Sequence, residues 1–143
     1  MNENMNFEVV ASYTRKEAIA DGFQIRIPDN IRSEAGIRYP VYVTRIVWDR
    51  YLKVPTGMGC QDMEGRMWDM LYMFVLSAKR NNISSKLEYR VLFQMNKDQA
   101  WEKNERRVGH NPEHREVILI AEVGANDIDD PSPAITIYTY HDM

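Results

Sequence analysis

Residues 62–95, DMEGRMWDMLYMFVLSAKRNNISSKLEYRVLFQM, change their period halfway along. In the first part Met63, Met67, Met70, Leu71, Phe74 and Ala78 fall on one stripe of a helix, and Trp68, Tyr72, Val75 and Leu76 widen it. A stripe that broad predicts a helix buried on most of its circumference, with Lys79 and Arg80 suited to its C-terminal dipole. Its methionines read first as adaptable core filler. After NNISS the repeat becomes two: Leu87, Tyr89, Val91 and Phe93 share one face, with Glu88 and Arg90 opposite. A long helix followed by an alternating strand points to an α+β fold.

The following segments extend the sheet. EVILIAEV (116–123) is apolar on both faces, as a central strand is. AITIYTY (134–140) alternates, placing Ile135 and Ile137 on one face and Tyr138 and Tyr140 on the other. GANDIDDPSP between them reads as a hairpin loop. KLEYRVLFQM, EVILIAEV and AITIYTY therefore predict a three-strand meander at the end of a mainly antiparallel sheet, with helices packed on one face. The connection Asn96–Arg115 is too long for a tight hairpin and nearly neutral, with five bases and four acids. Within it, DQAWEKNERR is expected to form a short surface helix.

Toward the N-terminus the elements are short and capped. FEVVASY (7–13) reads as a strand or extended arm. Thr14 and Glu17 have capping-box spacing, and Gly22 closes the turn begun by Ala18, Ile19 and Ala20. Only Arg15, Lys16 and Asp21 in that stretch lack an evident capping role. FQIRI then alternates as a strand. In PDNIRSEAG, Asp29 or Asn30 is expected to cap a second short helix that Gly36 stops. YPVYVT extends to Thr44, the expected N-cap of RIVWDRYL, where Val47 with Tyr51 and Trp48 with Leu52 are i,i+4 pairs. KVPTGMGCQD is a Pro/Gly loop.

A chain of 143 residues, 44% hydrophobic and 27% charged, has the composition of one globular domain, spanning 1–143. It has no apolar run of membrane-spanning length, and MNENMNFEVV lacks a secretory pattern. The single cysteine, Cys60, excludes an internal disulfide and a cysteine-rich zinc site. A cytoplasmic setting is the expectation. Residues 1–116 carry all 18 bases and 16 of the 21 acids, while the last 27 residues carry five acids and no base. The resulting +2 on the front is far from the basic stripe of a dedicated nucleic-acid binder.

Each chemical motif has a structural counterpart that accounts for it better. His110 and His114 have helical zinc spacing, but Pro112 lies between them and the third histidine is distant. Asp127, Asp129 and Asp130 lack the glycine and terminal glutamate of a calcium loop, and read as an Asx-capped turn. Cys60 has no histidine placed near it. GMGCQDMEG lacks the lysine–hydroxyl ending of a phosphate loop. Trp48, Tyr51, Trp68 and Tyr72 read as core residues by their helical spacing. Tyr138 and Tyr140, with Tyr89, are a candidate stacking platform. No catalytic residue, metal site or cofactor is assigned.

The order of the motifs carries a resemblance. YTRKEAIADG (13–22), PVYVTRIVW (40–48), GRMWDML (65–71), YRVLF (89–93) and ITIYTYHD (135–142) follow one another as in an uncharacterised family of small bacterial and phage proteins recurrent in plasmids, prophages and other mobile elements. The resemblance spans nearly the whole chain except Asn96–Arg115 and the termini. It implies a compact α+β domain with an accessory role in mobile DNA, and brings no catalytic residues. The expected function is thus non-enzymatic binding, to a protein partner, with Arg15, Asp21, Arg45, Asp62, Arg66, Asp69, Tyr138 and Tyr140 as candidate contacts and the charged insertion as another. The competing class is a nucleotide- or nucleic-acid-binding protein using Arg15, Lys16, Arg45 and Arg50 with Trp48. A zinc enzyme built on His110 and His114, and a self-associating protein closing an aromatic sheet face, complete the set.

Overall fold

The computed structural model describes residues 13–54, 62–81 and 85–142. The expected arm before Tyr13, the loop holding Cys60 and most of NNISS lie outside them. Helix α1 is Arg15–Ala20. The Thr14 hydroxyl accepts from the Glu17 backbone N–H at 3.0 Å, and the Glu17 carboxylate accepts from Thr14 N–H, completing the capping box. Gly22, at φ +82, turns the chain into strand β1, Gln24–Arg26.

Helix α2, Asp29–Glu34, corrects one expectation. Pro28 occupies its N-cap and no side chain caps it. Asp29 binds Arg32 at 2.8 Å and Arg26 at 3.1 Å instead, so its carboxylate is drawn to guanidinium groups rather than the helix end. Strand β2, Val41–Thr44, leads directly into α3, Arg45–Val47, with Thr44 accepting from Val47 N–H. The helix then widens into a π turn, Trp48–Leu52, closed by Lys53 N–H donating to the Trp48 carbonyl.

Helix α4, Met63–Arg80, starts at Asp62, whose carboxylate accepts from Gly65 N–H. Strands β3 (Lys86–Gln94), β4 (Glu105–Arg107), β5 (His114–Asp127) and β6 (Asp130–Tyr138) follow, and Tyr140–Asp142 forms a final 3₁₀ turn. The sheet runs β1-β2-β6-β5-β3, with β4 beside the first part of β5. Every pairing is antiparallel except β2 with β6. Strands β3, β5 and β6 are neighbours in that order, the expected meander, although β4 intervenes in the chain. The β5–β6 hairpin is tighter than expected: Asp127 faces Asp130, leaving a two-residue turn.

One sheet face carries the core. Val41 and Val43 sit beside Ile135 and Ile137, and Leu119, Val91 and Phe93 continue the layer under Met67, Met70, Leu71 and Phe74 of α4. Full burial of each such side chain contributes roughly 1.5–3 kcal/mol. Two expectations about α4 are corrected here. Trp68 and Tyr72 are exposed and stack on each other at 4.8 Å, because the helix lies on the sheet by one side only. Arg66, by contrast, is buried. The helix expected within DQAWEKNERR is also absent: turns lead into β4, in which Glu105 is buried and Arg106 and Arg107 are exposed. That segment has no apolar stripe to hold a helix, and Glu105 has partners inside.

Candidate functional site

Three of the polar residues singled out by the motifs, Arg15, Asp21 and Arg45, lie on α1, at its C-cap and on α3, and each makes its own set of contacts. Arg15 is half-buried and makes three side-chain hydrogen bonds. Its Nε donates to the Asn126 carbonyl at 2.5 Å, and its Nη1 to Gln24 Oε1 at 2.7 Å and Thr136 Oγ1 at 3.1 Å. The guanidinium lies 4.0 Å from the Tyr42 ring centre, and the Tyr42 hydroxyl donates to Asn126. Burial lowers the Arg15 pKa, with Tyr42 and Asp127 opposing the shift. Asp127 accepts the backbone N–H groups of Arg15 and Lys16, both at 3.0 Å, supplying an anion to the start of α1. The Asx turn thus serves a helix more than a hundred residues away.

Asp21 accepts from the Tyr13 hydroxyl at 2.7 Å, which pushes the Tyr13 pKa up to about 12. Arg45 bridges to Asp49 at 3.2 Å and reaches the Gly22 carbonyl at 3.4 Å, with most of its side chain in solvent. Beside it opens a groove of about 460 Å³ lined by Tyr13, Ala18, Phe23, Thr44, Arg45 and Ile46 among others. Phe23 is 61% exposed and Tyr13 52%, and Ile46 is also exposed. The Asp142 carboxylate at its rim is occupied by the Thr44 hydroxyl and Thr139 N–H. Sequence reasoning missed this groove. FQIRI reads as alternating, yet Phe23 precedes β1 and projects outward while Ile27 enters the core. No local signal separates the two.

Arg66 and Asp69 line a second cavity of about 230 Å³, with Asp62, Leu92 and Gln94, between the start of α4 and the end of β3. Arg66 Nη1 donates to the Tyr51 carbonyl at 2.9 Å and Nη2 to the Gln94 carbonyl. Burial lowers the Arg66 pKa and raises that of Asp69. Arg66 thereby ties three elements together.

Tyr138 and Tyr140 lie away from the core, as alternation predicts. Tyr138 is half-buried beside Lys86, whose ammonium pKa is raised by hydrogen bonding to it and by Glu122. Tyr140 is exposed and donates to Glu88, which raises its own pKa. Tyr89 is not part of this surface. It points to the core, 3% exposed and edge-on to Phe74, so the three-tyrosine platform is not assembled.

The basic residues of the nucleic-acid reading are also dispersed. Arg50 enters a buried network that sequence reasoning missed. Its Nε and Nη2 grip the Glu105 carboxylate at 2.6 and 2.9 Å, a bidentate pair. Arg115, fully buried, donates to the same carboxylate at 2.9 Å, with Trp101 3.8 Å beyond its guanidinium. The Tyr51 hydroxyl donates to Glu105 too, and Asn104 bonds both Tyr51 and the Ile118 carbonyl. Burial pushes the Glu105 pKa up, but hydrogen bonds from Arg50, Tyr51 and the Glu102 N–H outweigh it and hold it below the ordinary glutamate range. The Asn96–Arg115 segment is thus clamped onto the body by its own charges.

His110 is exposed in a turn, His114 begins β5 opposite Gln94, and His141 lies 3.3 Å from Glu102. Among the described residues no group of three His, Cys, Asp or Glu side chains is placed to hold a metal ion. No described helix is long and apolar enough to cross a membrane. No protein-family model, curated protein or solved structure matches the chain.

Proposed function

We propose that the protein acts by binding a protein partner, through the groove between α1 and α3, as a cytoplasmic accessory protein of a mobile genetic element. The observation that carries the binding reading is the convergence of Tyr13, Phe23 and Ile46, all exposed, on one groove beside Arg45. Exposed aromatic side chains around a concavity are the anchors by which protein interfaces gain most of their free energy. The polar groups of the corner, Asp21, Thr44 and Asp142, already have partners within the chain, so an apolar side chain can enter without stranding them. The exposed guanidinium of Arg45 selects an apolar or aromatic anchor flanked by a carboxylate. The mobile-element role rests on the motif resemblance, whose first two motifs supply most of this groove.

The test is capture of partners by the tagged full chain from its own cells, repeated with Phe23→Asp and with Val123→Asp as a control exposed elsewhere. Phe23→Asp keeps the fold by circular dichroism and weakens one captured protein by about tenfold or more, while the control retains it. Retention of every captured protein by Phe23→Asp sinks the groove as the contact. Recovery of nucleic acid with a steep salt dependence sinks the protein-partner reading.

A further inference from the structure

We infer that the protein binds a small amphipathic carboxylate, an apolar body with one anionic head, in the gap between the end of α4 and the sheet. This site is separate from the α1–α3 groove and shares no lining residue with it. Two residues account for the gap. Ala78 continues the apolar stripe of α4 one turn beyond Phe74, where it adds only a methyl group to the packing. Val123, lining the same gap, stands on the core face of β5 in step with Leu119 and Ala121. Those two are buried, yet Val123 is 37% exposed. The last turn of α4 thus leaves part of the core face uncovered.

The uncovered space is a groove of about 380 Å³, with the buried side chains of Phe74 and Ile135 in its lining. Small-ligand sites occupy roughly 300–1,000 Å³ and combine an apolar lining with a few polar groups that orient the guest. An apolar body here gains the burial that Ala78 leaves undone.

The polar groups select the head. Arg38, Tyr39 and Lys79 are the polar side chains of the lining, two presented by the connection from α2 to β2 and the third by the last turn of α4. All three are exposed, and none makes a side-chain hydrogen bond or ion pair with another described residue. Elsewhere Arg26 and Arg32 are held by Asp29, Arg45 by Asp49 and Arg50 by Glu105. Among the described residues no carboxylate lines this groove, whereas the α1–α3 groove has Asp142 and the cavity beside Arg66 has Asp62 and Asp69. On a chain of net charge −3, a concavity that offers two cations and a phenol donor, and no acid, favours an anion. A carboxylate accepts from a guanidinium fork and a hydroxyl together, and at the rim its remaining lone pairs stay in water. The apolar lining and the free donors therefore call for both halves of the guest.

The probe is octanoate, titrated into the isotope-labelled full chain and followed by amide chemical shifts. Octylammonium, with the same tail and the opposite charge, and acetate, with the same head and no tail, are the comparisons. Octanoate is expected to shift residues 36–39, 74–79 and Val123 in one saturable process, with both comparisons at least about fivefold weaker. Arg38→Ala combined with Lys79→Ala strands no partner; it is expected to weaken octanoate about fivefold and to level the preference over octylammonium. Ala78→Trp fills the gap and weakens octanoate about tenfold or more, with circular dichroism unchanged. Val123→Asp sets a carboxylate against the head and also weakens it, without touching the α1–α3 groove, so this site and partner capture succeed or fail independently. Shifts that do not saturate or lie elsewhere, a wild type that binds octylammonium as well as octanoate, or an octanoate affinity indifferent to the Arg38/Lys79 exchange or to Ala78→Trp overturns the inference.

Discussion

Two of the regions that draw an arginine into this protein do so differently. At the α1 corner, Arg15 is surrounded by neutral acceptors, the Asn126 carbonyl, Gln24 and Thr136, with Tyr42 beneath it. In the Asn96–Arg115 segment, Arg115 and Arg50 share one carboxylate, Glu105, whose side chain is fully buried. The first arrangement leaves a half-buried cation among neutral hydrogen-bond acceptors. The second removes charges of both signs from water and depends on each to stabilise the other. A charge beside a recognisable motif is therefore not by itself a functional charge, since Arg15 and Arg50 both organise the fold.

The largest test of that contrast is Glu105→Ala. It leaves Arg115 buried without its carboxylate and is expected to reduce unfolding stability by about 3–5 kcal/mol in urea titrations. A loss below about 1 kcal/mol would place the pair among solvent-screened surface bridges and erase the contrast.

Acid provides a milder version of the same break. The Glu105 pKa is lower in the folded protein than its ordinary value of 4.5, so its stabilisation is complete above that value and is lost as pH falls through the folded one. The stability of wild type should decline on the acid side more steeply than that of Glu105→Gln, read as the urea midpoint at successive pH values. Parallel curves would show that the carboxylate is not what acid removes.

Arg15→Ala should cost less, about 1.5–3 kcal/mol, since the lost hydrogen bonds leave neutral groups behind. Arg15→Lys should recover only part of it, because a point charge cannot span acceptors set for a fork. Arg45→Ala comes last, below about 0.5 kcal/mol by thermal unfolding, as its bridge to Asp49 is exposed. An Arg45 effect as large as that of Arg15 would mean the corner is held by both arginines, leaving neither available to a partner.

Local chemistry made much of the architecture legible. The Thr14–Glu17 box, the Thr44 cap, and the shift from helical to alternating period between Met63 and Gln94 each act within a few residues, and each appears where expected. The errors share a cause. Asp29 left its helix cap for Arg26 and Arg32; DQAWEKNERR became turns and a short strand because Glu105 had partners inside; Trp68 and Tyr72 faced outward because no described element packs over that side of α4. In each case a polar or aromatic side chain was placed by what lay across the fold.

Periodicity, caps and glycine turns thus determined that this chain is an α+β domain with a long helix over a mainly antiparallel sheet, because those signals are carried by residues within one or two turns of each other. Tertiary structure alone decided that Arg15 reaches Asn126 over 111 residues and Arg50 reaches Glu105 over 55. It also decided that Phe23 stays in solvent beside Arg45 and that β3 becomes a sheet edge. Such partnerships depend on which strands become neighbours, a property of the folded chain as a whole that no local spacing encodes.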